Sequence, residues 1–245
     1  MNWPRNSRIA LYGGTFDPVH DGHLAVARAL LKLFSLDEVL FIPAHIAPHK
    51  RKVPPSSPFH RYAMLTLATG DETRFRVSTV ELDEPRKPYT IETVLRLRDT
   101  LGGQLVFVMG ADSWDEITTW REWERLLALV ATVVVTRPGY ELFTEHVSAA
   151  VRERIVDLRG GEVSEQEVRA AEMSGEPRIY FTDVVNLDIA SRHIRHAVSA
   201  AGADERLEKI IQVPQPVAEY INKYRLYREA HETERNDAGR ERAHD

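Results

Sequence analysis

Apolar residues along the chain alternate between short continuous runs and longer stretches in which they recur with helical spacing. Residues 8–12 and 38–42 are short apolar runs, and residues 24–34 between them carry apolar side chains three or four positions apart. This order predicts a strand, a helix and a second strand, with the two strands parallel and joined by a right-handed crossover.

The same alternation continues along the chain and predicts the class of fold. Because the predicted strands are continuously apolar, they are typical of a parallel sheet that is covered on both faces. We therefore expect an α/β fold, a doubly wound parallel sheet of the Rossmann-like type with C-terminal helices. The further predicted strands are residues 75–82, 105–109, 132–136 and 178–184, and the further predicted helices are residues 90–101, 120–130, 191–200 and 217–226.

The chain is predicted to form a single domain over residues 1–227. Residues 141–176 are polar and amphipathic, and we expect one or two helices there, inserted before a strand of the sheet. Residues 228–245 contain alanines among charged and polar residues, a composition typical of a disordered tail.

Composition narrows the partners that the protein can have. The 245 residues carry a net charge of −5, which gives no reason to expect bulk binding to nucleic acid. No apolar run approaches the roughly 20 residues that a membrane-spanning helix needs, and the first residues lack the pattern of a signal peptide. We therefore expect a cytoplasmic protein without a membrane partner. The absence of cysteine excludes disulfides and cysteine nucleophiles.

The most informative segment is residues 13–23, Gly-Gly-Thr-Phe-Asp-Pro-Val-His-Asp-Gly-His, where the first predicted strand meets the first helix. Paired glycines allow close approach to a ligand, and the helix N-terminus offers backbone amides to phosphate. His20 and His23 lie at that same end and can donate hydrogen bonds to one phosphate group. A zinc site formed with His45 and His49 is disfavoured, because neither structural-zinc spacing nor a close acidic residue is evident. We therefore predict no dedicated metal ligands.

This segment resembles the His-x-Gly-His signature of a superfamily of nucleotidyltransferases. The chain as a whole is similar to the bacterial nicotinate-nucleotide adenylyltransferases, and the resemblance covers residues 8–227. Matching motifs follow in the family's order at residues 43–50, 89–93, 107–112, 137–139 and 217–221, with Trp120 in a Thr-Trp pair.

One motif departs from the family pattern. Residues 189–195 read Ile-Ala-Ser-Arg-His-Ile-Arg, where the family has serine and threonine in place of Ala190 and Arg192. In the predicted helix over residues 191–200, Ser191 and Arg195 are one turn apart and would face one anion, whereas Arg192 would point elsewhere.

The resemblance implies transfer of AMP from ATP to nicotinate mononucleotide, which forms nicotinate adenine dinucleotide and pyrophosphate in NAD biosynthesis. Magnesium is expected to arrive with ATP. Nicotinate mononucleotide should be preferred to its amide, because backbone amides near Thr90 and Trp120 suit a carboxylate. The residues assigned to ATP are Gly13, Gly14, Thr15, Phe16, His20, His23, Gly110, Asp112, Ile189, Ser191 and Arg195, of which His20, His23 and Arg195 are catalytic. The residues assigned to the acceptor are Asp17, Lys50, Tyr89, Thr90 and Trp120.

Alternatives remain open at several points. Asp17 either orients the turn or touches the acceptor, and Trp114 is a second candidate to stack on the pyridine ring. A rival enzyme would be a nucleotidyltransferase acting on pantetheine phosphate or on a sugar or alcohol phosphate. A different class would be a nucleotide-sensing protein that keeps the fold without catalysis. The sequence is also compatible with a homo-oligomer.

Overall fold

Seven parallel strands form one sheet in the part of the chain that the structure describes. The structure is a computed structural model that describes residues 7–45, 55–84, 86–136, 140–161, 168, 176–185, 187, 189–200 and 212–228. The strands are β1 (Arg8–Gly14), β2 (Glu38–Pro43), β3 (Phe75–Val77), β4 (Gln104–Gly110), β5 (Ala131–Val135), β6 (Ile155–Asp157) and β7 (Ile179–Thr182). Their order across the sheet is β3-β2-β1-β4-β5-β7-β6, and every pairing is parallel.

Helices cover both faces of this sheet. In β1, Ala10 and Tyr12 pack into one buried core cluster, whereas Ile9 and Leu11 pack into a second cluster on the other face. The predicted doubly wound α/β fold is therefore confirmed. The helices are α1 (Asp21–Leu33), α2 (Pro58–Ala68), α3 (Thr90–Leu101), α4 (Ala111–Asp115), α5 (Trp123–Leu129), α6 (Ala149–Arg152), α7 (Ser191–Ala200) and α8 (Gln215–Lys223), with a 3₁₀ turn at Ile117–Thr119.

β1 and β4 lie side by side at the point where the strand order reverses. From β1 the chain continues to β2 on one side, and from β4 it continues to β5 on the other. In open α/β sheets, ligands bind in the crevice outside the carboxyl ends of the strands at such a switch point. Because β1 ends at Gly14 and β4 at Gly110, the two predicted nucleotide motifs meet at this crevice.

Helices α3 and α7 have the predicted bounds, whereas several other predicted elements are shorter than expected. The strand predicted over residues 75–82 ends at Val77, and the chain then turns, with the amides of Leu82 and Asp83 both donating to Thr79 O. The helix predicted over residues 120–130 begins only at Trp123, because Glu122 before it has a left-handed φ of 51°.

The apolar pattern fails to predict α2. Its buried face contains Met64, Leu65 and a wholly buried Arg61, while Phe59 is 74% exposed and Leu67 is 41% exposed. Apolar residues on the solvent side and a charged residue inside obscure the helical period.

The region predicted as a helical insertion contains a helix and also a strand that the prediction lacked, and the insertion itself stays a prediction. Its described part contains the four-residue α6 and then β6, which pairs with β7 and extends the sheet at its edge. Residues 162–167 and 169–175 of this region, and the predicted tail from residue 229, lie outside the described residues. The single-domain assignment stays a prediction. Over the described residues, no helix is long and apolar enough to cross a membrane.

Candidate active site

The turn between β1 and α1 contains residues that have an unusual backbone conformation or are very closely packed. A Cβ atom on Gly14 would lie 2.9 Å from Cζ of Phe16, so this position requires glycine. Phe16 has a left-handed φ of 49° and is 2% exposed. Its ring packs edge-on against Tyr12 and His23, at centroid distances of 5.5 and 5.0 Å. The turn is therefore held rigidly against the core at the carboxyl end of β1.

His20 and His23 form a reciprocal pair at the N-terminus of α1. His20 is the N-cap residue, and its backbone N–H donates to Nδ1 of His23 over 3.2 Å. The two imidazole rings stack with centroids 3.7 Å apart and an angle of 28° between planes. Because Nδ1 of His23 accepts a hydrogen bond, a neutral His23 carries its proton on Nε2, which is then a donor.

Gly22 lies between these histidines in sequence and makes their packing possible. A Cβ atom here would lie 3.1 Å from Nδ1 of His20 and 3.5 Å from Cβ of Ile189. His20 is 5% exposed and has little room to move away. The glycine of the His-x-Gly-His pattern therefore has a steric reason in this chain.

Asp17 lies beneath the turn and is 2% exposed. Its carboxylate accepts hydrogen bonds from the Tyr227 hydroxyl at 2.7 Å and the Ser56 N–H at 3.3 Å. Burial and the neighbouring Asp17 raise the pKa of Tyr227, so this hydroxyl remains a donor. These contacts favour an orienting role for Asp17, whereas its contact with an acceptor stays a prediction.

Helix α7 docks on the same turn through Ser191 and Arg195. The Ser191 hydroxyl donates to the Pro18 carbonyl at 3.0 Å, and Nη1 of Arg195 donates to the Asp17 carbonyl at 2.6 Å. Nη1 of Arg195 also lies 4.0 Å from the Asp17 carboxylate. These contacts fix the first turn of α7 beside the histidines, whereas the expectation that both residues face one anion stays a prediction.

Two cavities open at the switch point, and the first, the histidine cavity, is defined by His20 and His23. Its volume is about 400 Å³. Arg192 is also among the lining residues, but it is exposed and its Nε contacts His193, so the expectation that this side chain points elsewhere stays a prediction. Every residue predicted to bind ATP lies along this cavity, namely Gly13, Gly14, Thr15, Phe16, His20, His23, Gly110, Asp112, Ile189, Ser191 and Arg195.

The second cavity, the tryptophan cavity, is defined by Trp120 and has a volume of about 270 Å³. Tyr89 and Thr90 line it as predicted for the acceptor. Its apolar walls include Ile42, Val94, Phe107 and Met109, and its polar lining includes Glu81, Lys87, Thr93, Thr119 and Arg121. The two cavities share Gly13, Gly14, Thr15 and Ser113, and therefore meet at the carboxyl end of β1.

Glu81 is a half-buried acidic residue in the tryptophan cavity that sequence reasoning misses. It accepts hydrogen bonds from the Thr93 hydroxyl at 3.0 Å and from the His45 N–H at 3.3 Å. Burial raises its pKa, while these hydrogen bonds and the nearby charge of Lys87 act in the opposite direction. Glu81 thereby links α3 to the segment that follows β2.

Arg61 is wholly buried and joins the segments that surround both cavities. Its guanidinium donates to the carbonyl oxygens of Thr15 at 2.8 Å, Ala44 at 2.6 Å and Ser56 at 3.0 Å. It also donates to the His45 carbonyl at 3.2 Å. A single arginine in an amphipathic stretch gives no sequence signal for this role.

Of two further candidate residues, the structure argues against Trp114 and does not describe Lys50. Trp114 is wholly buried in the core, where its indole N–H donates to the Phe143 carbonyl at 2.9 Å, so it is not a stacking surface. Lys50 lies outside the described residues, as does His49. Among the described residues, no group of three or more His, Asp or Glu side chains could hold a metal ion.

Comparison with known proteins gives the same family from sequence and the same fold from structure. A family model described as cytidylyltransferase-like matches residues 11–197. A relative from Symbiobacterium thermophilum, named as a nicotinate-nucleotide adenylyltransferase, is 38% identical over 222 residues, which cover 90% of this chain and 95% of the relative. A relative of the same name from a Thermoanaerobacter species is 36% identical over 230 residues, which cover 93% of this chain and 98% of the relative.

Among solved structures, the nicotinic acid mononucleotide adenylyltransferase of Plasmodium falciparum, complexed with NaAD, has a TM-score of 0.64 to this chain. The match covers 91% of this chain and 98% of that one at 17% identity, so it supports the fold alone. The sequence relatives match nearly full length at higher identity. The chain therefore belongs to the cytidylyltransferase-like family and to the nicotinate-nucleotide adenylyltransferases.

Proposed function

We propose that this chain transfers the adenylyl group of ATP to nicotinate mononucleotide, producing nicotinate adenine dinucleotide and pyrophosphate. The observation that carries the proposal is the meeting of two cavities at one turn. The histidine cavity offers donors suited to phosphates, and the tryptophan cavity offers a flat aromatic surface in an apolar chamber. Two substrates bound in these cavities would bring their phosphates together at Gly14 and Thr15.

The reaction needs alignment more than it needs a base. An oxygen of the acceptor phosphate attacks the α-phosphorus of ATP, and the bond from that phosphorus to the pyrophosphate oxygen breaks. The attacking phosphate is already ionised at neutral pH, so no proton has to be removed from it. The protein contributes orientation of two polyanions and hydrogen-bond donors for the transferring group.

In the histidine cavity, His20 and His23 are proposed to donate to the phosphates of ATP. The tautomer of His23 supports this role, because Nε2 carries the proton when Nδ1 accepts from the His20 backbone. The N-terminus of α1 adds backbone amides and the positive end of the helix dipole. Arg195 would bind the leaving pyrophosphate from the side of α7, where Asp17 already orients its guanidinium.

In the tryptophan cavity, Trp120 is proposed to stack on the pyridine ring. Thr90 is the first residue of α3, and the N-terminus of that helix offers backbone amides to the nicotinate carboxylate. Lys50 is proposed to reach the acceptor phosphate from the segment after β2. Glu81 and Arg61 hold the start of that segment through His45 and Ala44.

Magnesium is proposed to enter with ATP. Mg²⁺ in nucleotide enzymes is usually held by substrate phosphates, water and one or two carboxylates. Asp112 is a carboxylate that lines the histidine cavity, and it is also proposed to meet the ATP ribose. When bound, the ion would neutralise phosphate charge. A cytoplasmic location and a homo-oligomer are further expectations of the same proposal.

Pyrophosphate release tests the proposed function. The purified chain is incubated with ATP, Mg²⁺ and one acceptor at a time: nicotinate mononucleotide, nicotinamide mononucleotide or pantetheine phosphate. We expect the highest kcat/KM with nicotinate mononucleotide. A higher kcat/KM with pantetheine phosphate would identify that compound as the acceptor in place of nicotinate mononucleotide. Binding of ATP without turnover of any acceptor would favour a nucleotide sensor.

A further inference from the structure

Arg121 is a charged side chain in the tryptophan cavity that the family motifs do not include. It follows Trp120 directly and lines the same cavity. The guanidinium carbon lies 5.0 Å from the ring centroid of Tyr89, the N-cap residue of α3. A cation over an aromatic face is attracted to it, and this contact holds Arg121 beside the entrance to α3.

The positive charge of Arg121 is only weakly engaged by its acidic neighbour. Glu122 lies 3.8 Å from Nε of Arg121 but 2.6 Å from Nη1 of Arg125. The hydrogen bond from Arg125 is also the main reason that the pKa of Glu122 is lowered. Glu122 is therefore paired chiefly with Arg125, and the charge of Arg121 remains available to a ligand in the cavity.

The other cation in the described lining of this cavity has a different electrostatic partner. Lys87 lies close enough to Glu81 to lower the pKa of that carboxyl group by its charge. The charge of Glu81 opposes that of Lys87, so the two together attract an anion less than a lone cation does. Arg121 is thus the cation in the described lining whose charge is not offset by a carboxylate of that lining.

We propose that Arg121 determines acceptor specificity by pairing with the carboxylate of a nicotinate ring stacked on Trp120. This inference rests on the proposed function and assigns a residue of this chain to the choice between acid and amide. A guanidinium attracts a carboxylate through charge and two parallel N–H donors. A carboxamide can accept an N–H only through its carbonyl oxygen, carries no negative charge and meets no acceptor for its NH₂ group, so it gains much less from the guanidinium.

The test compares Arg121→Gln with Arg98→Gln, and measures kcat/KM for nicotinate and nicotinamide mononucleotides with each protein. Arg98 is the matched control, because it is exposed, lies on α3 and is absent from the lining of the cavity. Arg121 is 57% exposed, so we take the lower end of the range for a charged hydrogen bond. Arg121→Gln should lower kcat/KM for nicotinate mononucleotide about tenfold and change the amide by less than about twofold. Arg98→Gln should leave the ratio of the two unchanged.

The outcomes separate failure of this inference from failure of the proposed function. An equal fall for both acceptors would mean that Arg121 binds the phosphate they share, and unchanged kcat/KM for both would mean that backbone amides alone bind the carboxylate. Either result overturns the inference and leaves adenylyl transfer intact. Wild-type protein that uses neither acceptor would overturn both. Arg121→Lys should retain part of the preference, since the charge remains without the planar fork.

Discussion

At the scale of single residues, the site depends on how each side chain at the β1–α1 turn constrains its neighbours. Nδ1 of His23 is occupied by the His20 backbone, and His20 is confined between its stacked partner and Gly22. Each histidine therefore has a fixed ring position before any ligand arrives. Such preorganisation is what makes a hydrogen-bond donor effective in a transition state.

Replacing either histidine by alanine should reduce turnover without unfolding the protein. We expect kcat to fall about 10²–10³-fold in His20→Ala and in His23→Ala, the usual loss when one transition-state donor is removed. Steady-state kinetics and thermal melting of the same preparations provide the measurement. His196→Ala is the control, because His196 is an exposed residue of α7. A folded variant with wild-type kcat would exclude that histidine from the mechanism.

Gly22→Ala should impair catalysis by moving His20. The added Cβ would lie 3.1 Å from Nδ1 of His20, and small misplacements of a catalytic group reduce rates strongly, so kcat should fall about tenfold or more. Alanine favours helix over glycine by about 1 kcal/mol, so a weakened helix would not explain the loss. Gly161→Ala is the control, since a Cβ there meets nothing within 4 Å. Unchanged kcat in Gly22→Ala would show that His20 tolerates the shift.

At the scale of elements, α7 and α2 hold the turn from two sides. Arg195 and Ser191 bond carbonyl groups of Asp17 and Pro18, and Arg61 bonds the carbonyl of Thr15. The β1–α1 turn is thus fixed by side chains from distant parts of the chain. Substitutions in either helix that remove these contacts should therefore alter the conformation of the turn.

On α7, Arg195 should matter more than Arg192, although both line the histidine cavity. Arg195 is anchored to the turn at 2.6 Å, whereas Arg192 is exposed and contacts its neighbour His193. Arg195→Ala should lower kcat/KM for ATP about 10²-fold or more, and Arg192→Ala should have a mild effect. Arg195→Lys should also be poor, because lysine lacks the planar fork. The reverse ranking of the two alanine variants would show that Arg192 has taken over phosphate binding.

On α2, Arg61→Ala should destabilise the whole protein. It leaves buried carbonyl groups without their donor, and losing a buried charged partner typically costs about 3–5 kcal/mol. The free energy of unfolding in urea measures the change. Arg76→Ala is the control, because the pair of Arg76 with Glu38 is partly exposed and should be worth less than about 1 kcal/mol. A similar loss in both variants would contradict a bridging role for Arg61.

Predictability from sequence differs between these elements for physical reasons. The helical spacing of apolar residues in α3 and the glycines and histidines of the β1–α1 turn are local features of the sequence. The sequence pattern alone is therefore enough to locate these two elements. The role of Arg61 depends on segments 16 to 46 residues away along the chain, and local patterns carry no such information. Tyr227 reaches Asp17 from 210 residues away and is missed for the same reason. Residues that shape the candidate site by long-range contact are thus the ones that sequence reasoning misses.

At the scale of the whole molecule, the strand order brings the two cavities together. β1 and β4 are neighbours although three helices and two strands separate them along the chain. The β1–α1 turn with its two histidines follows the carboxyl end of β1, and the Gly110–Asp112 segment lies at the carboxyl end of β4. Trp120 follows shortly after α4. This arrangement places the histidine cavity, which we propose binds phosphate, and the aromatic surface of Trp120 at adjoining ends of one crevice.

The central claim is that the two cavities act together in adenylyl transfer to nicotinate mononucleotide. The most direct measurement follows ATP labelled at its α-phosphorus, incubated with nicotinate mononucleotide and either wild-type protein or a folded variant carrying both His20→Ala and His23→Ala. We predict that wild-type protein transfers the label into nicotinate adenine dinucleotide, and that the variant does so at least about 10²-fold more slowly. Wild-type protein that leaves the label in ATP, or a variant that transfers it at the wild-type rate, would contradict the account.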